Sequence, residues 1–199
     1  MNNINKVRQY IRSLILTEGM KTAAELPDDI SVIIEDDGHN VYIYYAEIIN
    51  GDVKSSREIQ GEIELVPSAP GDIEYAPCEG AYVVQSSEAT SGWGPLLYDI
   101  AIEYASIKGS GLVSDRRGVS MNARHIWHTY MQSRPDVKKF QCDNEYNKLT
   151  SDDGDNINQG VAMDDDAAYG WVESPLSKRY SKDPTMISAM KASGKLVML

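Results

Sequence analysis

The residues best suited to chemistry fall within positions 80–108, GAYVVQSSEATSGWGPLLYDIAIEYASIK. Gly92 and Gly94 flank Trp93 just ahead of Pro95. Glycines let a backbone turn sharply or approach a ligand closely, and Pro suits the first turn of a helix, where a missing N–H costs nothing. The unpaired N–H groups at such a start can hold an anion such as a pyrophosphate. A Gly-x-Gly spacing is also the mark of an ordinary tight turn, so both readings stand here.

Other constellations offer less. His125 and His128 are spaced to put two imidazoles on one side of a helix, but no third ligand follows at motif spacing. They read as surface or half-buried histidines, and no metal site is expected. Asp115, Arg116 and Arg117 could receive a phosphate or form an internal ion pair. Asp152-Asp153-Gly154-Asp155-Asn156 lacks the alternating ligands and terminal Glu of an EF-hand loop and reads as an acidic turn. No Ser/His/Asp arrangement or P-loop is present.

The elements that must position the glycine corner follow from periodicity. Ala81 to Gln85 are small, aromatic or β-branched, which predicts a buried strand ending near Ser86. Leu97, Ile100, Tyr104 and Ile107 recur on one helical face after Pro95, while Asp99, Glu103 and Ser106 form only a narrow polar stripe. Most of that helix is therefore expected to be buried. Upstream, Ile30–Glu35 and Val41–Glu47 flank an Asp/Gly/Asn turn and predict a hairpin. After the Asn50-Gly51 turn, Ile59, Gly61, Ile63 and Leu65 alternate with polar residues in a third strand.

Downstream, Leu112 and Val113 predict a short strand, and Ser120 caps a helix running to about Ser133. Arg134-Pro135 stops that helix, and Val137–Phe140 is the expected last strand. The spacing of Ile4, Val7, Ile11 and Leu14 predicts an amphipathic helix over 4–18, with Lys6, Arg8 and Arg12 facing outwards. It can pack on its own domain or reach an acidic partner or another copy of the protein. Residues 147–166 are acidic and poor in apolar side chains, whereas 171–199 regain them and are expected to dock. The division expected is an N-terminal helix over 1–20, a central domain over 21–146, and an acidic loop with docking segment over 147–199.

Composition bounds the function. With 199 residues, 42% of them hydrophobic, the chain can bury one real core. Its net charge of −11 repels phosphate backbones, which argues against general nucleic-acid binding but not against a small ligand. No apolar run is long enough for a membrane span and no secretory signal is recognisable, so neither membrane insertion nor secretion is expected. The 2 cysteines, Cys78 and Cys142, lack metal-ligand spacing and are expected to be reduced thiols.

The order meander, strand, Gly-x-Gly loop, helix, short strand, helix resembles the acyl-CoA N-acyltransferase superfamily known as GNAT, over about residues 30–140. In that family a Gln/Arg-x-x-Gly-x-Gly/Ala loop binds the coenzyme A pyrophosphate through backbone N–H groups, and the preceding strand pairs with the pantetheine arm. The resemblance implies a loop of Gly92, Trp93 and Gly94, and a pantetheine-facing strand at Val83, Val84 and Gln85. The family's Asn, Ala and Tyr on a later helix fall here on Ser120, Ala123 and Trp127. Ala89 stands in place of the loop's Gln or Arg, and Trp127, which has no titratable proton, in place of the Tyr. General acid work would then pass to Tyr130, one turn on.

What the resemblance implies is an α/β (α+β) domain, a mixed and mostly antiparallel sheet flanked by helices, that binds acetyl-CoA and moves an acetyl group to an amine. The amine must shed a proton before attack, and Glu88 and Glu79 are the nearest carboxylates in sequence. The acidic chain favours a cationic amine. The overall style is also similar to small acetyltransferase-like proteins of bacterial viruses. That admits an alternative: a non-catalytic structural or virion protein, in host cytoplasm or virion, that uses the basic N-terminal helix to join copies or other virion components.

Overall fold

The computed structural model describes residues 21–56, 58–68, 78, 80–115, 118–144, 149, 151, 156–157 and 170–199. The expected N-terminal helix, Glu79, Arg116, Arg117 and nearly all of the acidic 147–166 stretch lie outside them.

Alternation of apolar and polar residues produces the expected meander. β1 (Ile30–Asp36) pairs antiparallel with β2 (Val41–Ile49), and the tight connection between them is held by Asp37, whose carboxylate accepts the N–H groups of His39 and Asn40. Past Asn50 and Gly51, both with positive φ, the chain forms a short strand absent from the sequence-based expectation. This β3 (Asp52–Ser55) pairs with the far half of β2. It is exposed on both faces, which is why its pattern carried no signal. β4 (Gly61–Pro67) then pairs with the near half of β2, and β5 (Tyr82–Ala89) runs antiparallel to β4.

Helix α1 (Gly94–Lys108) follows, then β6 (Leu112–Ser114), α2 (Met121–Ser133) and β7 (Val137–Gln141). Ser120 caps α2 as its sequence position predicts, accepting the Ala123 N–H at 3.2 Å. A small parallel pair, β8 (Asp143–Asn144) and β9 (Asn156–Ile157), lies apart from the main sheet.

The C-terminal segment enters the sheet rather than resting on it. β10 (Lys178–Lys182) inserts between β6 and β7, α3 (Thr185–Ala192) follows, and β11 (Leu196–Met198) pairs parallel with β1. The result is a 9-stranded sheet in the order β11-β1-β2-β4-β5-β6-β10-β7, with β3 beside β2. Among the described residues it is an α+β arrangement, mixed and mostly antiparallel, with three helices. No described helix is long and apolar enough to cross a membrane.

The core forms where the sheet meets α1. Ile43, Ile63 and Leu65 from the strands pack with Leu97, Ile100 and Tyr104 from the helix, all fully or almost fully buried. Asp99 and Glu103 of the polar stripe of α1 are buried too, whereas Ile107, expected on the apolar face, is exposed at the end of the helix. Glu103 is wholly inaccessible, and its carboxylate accepts hydrogen bonds from Lys182 of β10 and from Thr185, Met186 and Ile187 at the start of α3. That one side chain satisfies the otherwise open N–H groups of α3 and balances a buried ammonium.

Removing one member of a buried ion pair strands the other charge, at a cost of about 3–5 kcal/mol, while exposed pairs contribute about 1 kcal/mol or less. Glu103→Ala is therefore expected to lose about 3–5 kcal/mol in urea unfolding. Lys138→Ala, which breaks the exposed Lys138–Asp183 contact of 3.3 Å, should change stability by less than about 1 kcal/mol.

Candidate functional site

β5 and β6 are parallel neighbours for only three residue pairs, Tyr82 with Leu112, Val83 with Val113 and Val84 with Ser114. Beyond Val84, β5 continues to Ala89 with β4 along one edge and no described strand along the other. The break coincides with an irregularity in the β4–β5 ladder: Leu65 pairs with Val84 but Glu64 with Ser86, leaving Gln85 as an extra residue. Such bulges bend a strand and increase its twist. β6 ends at Ser114, whose hydroxyl donates to the Leu176 carbonyl on the other side.

A groove occupies the gap. Its larger part, about 530 Å³, runs past Glu62, Glu88, Gly92, Gly94, Tyr98, Ser120 and His125. Its smaller part, about 100 Å³, lies between Val84–Ser87 on one side and Asp115, Val119 and Trp127 on the other. Ser87, Tyr98, Ser120 and Ala123 line both, so the two parts meet.

The glycine corner is at one end. Gly92 has φ +86°, a conformation that L side chains rarely adopt, and the Trp93 N–H closes the turn on the Thr90 carbonyl at 3.0 Å. Gly94 is ordinary in φ, and a Cβ added there would only touch Ala89 and Ile126 at 3.9 Å. Its missing side chain is thus not required by packing, and it leaves the helix start open to the groove. Among the described residues the N–H groups of Gly94 and Leu96 have no acceptor. Gly94 lines the groove, so its N–H is the donor an anion there would meet first, whereas Leu96, two residues on, is buried and lines neither part.

The expected site residues separate. Gly92, Gly94, Ser120 and Glu88 line the groove, as do Val84 and Gln85. Trp93 does not: it is buried, stacks edge-on to Tyr45 and accepts the Tyr45 hydroxyl on its carbonyl at 2.8 Å. Val83 is also out of reach, with backbone partners on both sides and its side chain packed in a separate small core. The strand stretch with an open edge is Gln85–Ala89 rather than Val83–Gln85. Tyr130 is buried behind α1, where its hydroxyl donates to Asp99 at 2.9 Å. Burial and the Asp99 carboxylate hold that hydroxyl protonated, and it lines neither part of the groove.

Two residues unremarked in the sequence reading join Glu88 in the groove, and one of them stands where Tyr130 was expected. Tyr98, one turn into α1, lines both parts of the groove and shares a 2.9 Å hydrogen bond with Ser87. Burial raises its hydroxyl, and the Ser87 contact opposes that rise. Glu62 sits directly across the β4–β5 ladder from Glu88. Burial, and then the charges of Glu64, Glu88 and Glu35, raise its carboxyl above the usual range. Like charges facing each other across strands resist joint ionisation. Only the strand register could have revealed Glu62, and a single sequence does not carry it.

Among the described residues the groove therefore combines a helix start with an N–H that has no acceptor, a strand edge with no partner strand, a phenol kept neutral by burial and a carboxyl inclined to take up a proton. Its described lining contains no Lys or Arg. No family model, curated protein or solved structure matches the chain.

The raised Glu62 carboxyl has a consequence for stability. A carboxyl whose folded value lies above its unfolded one costs nothing at acid pH and reaches its full cost once the pH exceeds the folded value. Glu62→Gln should accordingly unfold at a higher temperature than the parent at neutral pH, and the gap should close as the pH falls through the carboxylate range. Thermal unfolding across pH checks both the sign and its disappearance.

Proposed function

We propose that the chain is an acyltransferase-like protein that binds acetyl-CoA in this groove and passes the acetyl group to an amine. The observation that carries the reading is the open edge of Gln85–Ala89 next to the start of α1. An extended amide-bearing arm can pair with such an edge, while its phosphates meet the N–H group of Gly94. The residues that hold the ligand are then Gln85 to Ala89, Gly92, Gly94 and Ser120, not Trp93 or Val83.

The chemistry assigns Glu62, with Glu88 opposite, to receive the proton of an incoming ammonium. The freed amine attacks the thioester carbonyl, the C–S bond breaks, the leaving thiolate takes a proton from the Tyr98 hydroxyl, and the Tyr98 oxygen recovers one from the newly acylated nitrogen. A cationic amine suits the acidic lining. The chain is read as acting in the cytoplasm of a host cell.

One observation favours a second reading. No described Lys or Arg lines the groove to balance a diphosphate, so the same fold could serve as a non-catalytic virion component. The two readings differ in solution. Calorimetric titration with acetyl-CoA is expected to give heat that Gly94→Arg abolishes without altering thermal unfolding. Glu62→Gln should keep the affinity while lowering acetyl transfer to a polyamine by about 10²–10⁴-fold. Absence of heat with the parent chain would leave the structural reading standing.

A further inference from the structure

Cys78 and Cys142 are 64 residues apart in sequence, yet their sulfurs lie 3.0 Å apart and both side chains are fully buried. They sit in a small core of their own with Ala81, Val83, Val113 and Trp171, separate from the one beneath α1. Cys78 stands just before β5, and its carbonyl accepts the Ala81 N–H at 3.0 Å. Cys142 follows β7, and its carbonyl accepts the Trp171 indole N–H at 2.7 Å. The backbone of both residues is thus held by neighbours, with the side chains directed at each other.

We propose that Cys78 and Cys142 form a thiol–disulfide site that joins the start of β5 to the end of β7. The co-reactant is a low-molecular-weight disulfide such as oxidised glutathione. One cysteine thiolate attacks it, forming a protein–glutathione disulfide and expelling one glutathione thiolate. The second cysteine then attacks the protein sulfur of that mixed disulfide, the Cys78–Cys142 bond forms, and the other glutathione leaves. Two thiol protons pass to the two departing thiolates, and two electrons to the glutathione.

The pair is walled by polar contacts: the Lys178 ammonium donates to Gln141 and to the Val172 carbonyl, and the Gln141 amide donates to the Cys142 carbonyl at 3.0 Å. Because both sulfurs are buried, the first attack follows a local opening, whereas the second is intramolecular and benefits from the folded chain's high effective concentration. Folding and oxidation therefore reinforce each other: the disulfide removes freedom from the unfolded chain, and the fold presents the pair. The bond would secure the strand whose outer half walls the groove. This inference does not depend on the ligand assigned there.

The test equilibrates the full chain in glutathione buffers of graded oxidised-to-reduced ratio, native and in urea, followed by acid quench, alkylation and intact mass. The native chain is expected to reach half-oxidation at a ratio at least about tenfold more reducing than the denatured chain. Its oxidised form should unfold at a higher temperature than its reduced form, and Cys142→Ser should show neither the bond nor the rise. Equal midpoints in native and denatured chain would overturn the proposal. So would a native product that is a glutathione adduct or a disulfide-linked dimer.

Discussion

Two buried carboxylates on one helix hold this structure in register. A carboxylate removed from water is costly unless cations and hydrogen-bond donors surround it, so each becomes a directional constraint once α1 is buried. Asp99 takes the Arg134 guanidinium on both oxygens, at 2.9 and 3.1 Å, and the Tyr130 hydroxyl as well, which fixes α2 against α1. Glu103, one turn on, fixes β10 and α3. Tyr104 donates to Asp36 at the end of β1, and Tyr98 meets Ser87 on β5. Hydrophobic burial alone would let α1 rotate about its axis. These polar contacts point in different directions and leave it one orientation, with its N-terminus at the open edge of β5.

The groove is a consequence of that arrangement combined with unequal strand lengths. β5 has eight residues and β6 three, so a parallel pair begins at Tyr82 and must end at Val84. Gln85 adds a bulge where the pairing ceases. α2 is fixed along the far side of the opening by Trp127, which is wedged among Tyr98, Tyr130 and Tyr180 with ring centroids 5.1–6.2 Å apart. The sheet is thereby split beside a helix start, where unpaired backbone donors would otherwise face solvent.

Much of the local structure was legible in the sequence, because it depends on short-range periodicity and capping. The β1–β2 hairpin, the strand before Ser86, the helix opening at Gly94 and the Ser120 cap each follow from neighbours within a few residues. The polar stripe of α1 was legible as a pattern but not in its meaning. Asp99 and Glu103 resemble a solvated face until Arg134 and Lys182, 35 and 79 residues downstream, arrive to pair with them. The insertion of β10 between β6 and β7 was equally hidden, since strand order is set by long-range pairing. Within the site the glycine corner was visible, whereas Glu62 and Tyr98 acquire their positions only through register and helix rotation. Cys78 and Cys142 show the same limit: two isolated thiols in sequence become one buried contact in the fold.

The central claim is that the outer half of β5 and the first turn of α1 form one receptive surface for an extended, phosphate-bearing ligand. Amide-resolved NMR of the labelled chain with and without acetyl-CoA tests it most directly. The account predicts that the amides of Gln85–Ala89 and Gly94 shift together and exchange more slowly with solvent, while those of β1 and β11 stay unchanged. Unaltered amides at β5 and α1, or shifts confined to another face of the sheet, would contradict it.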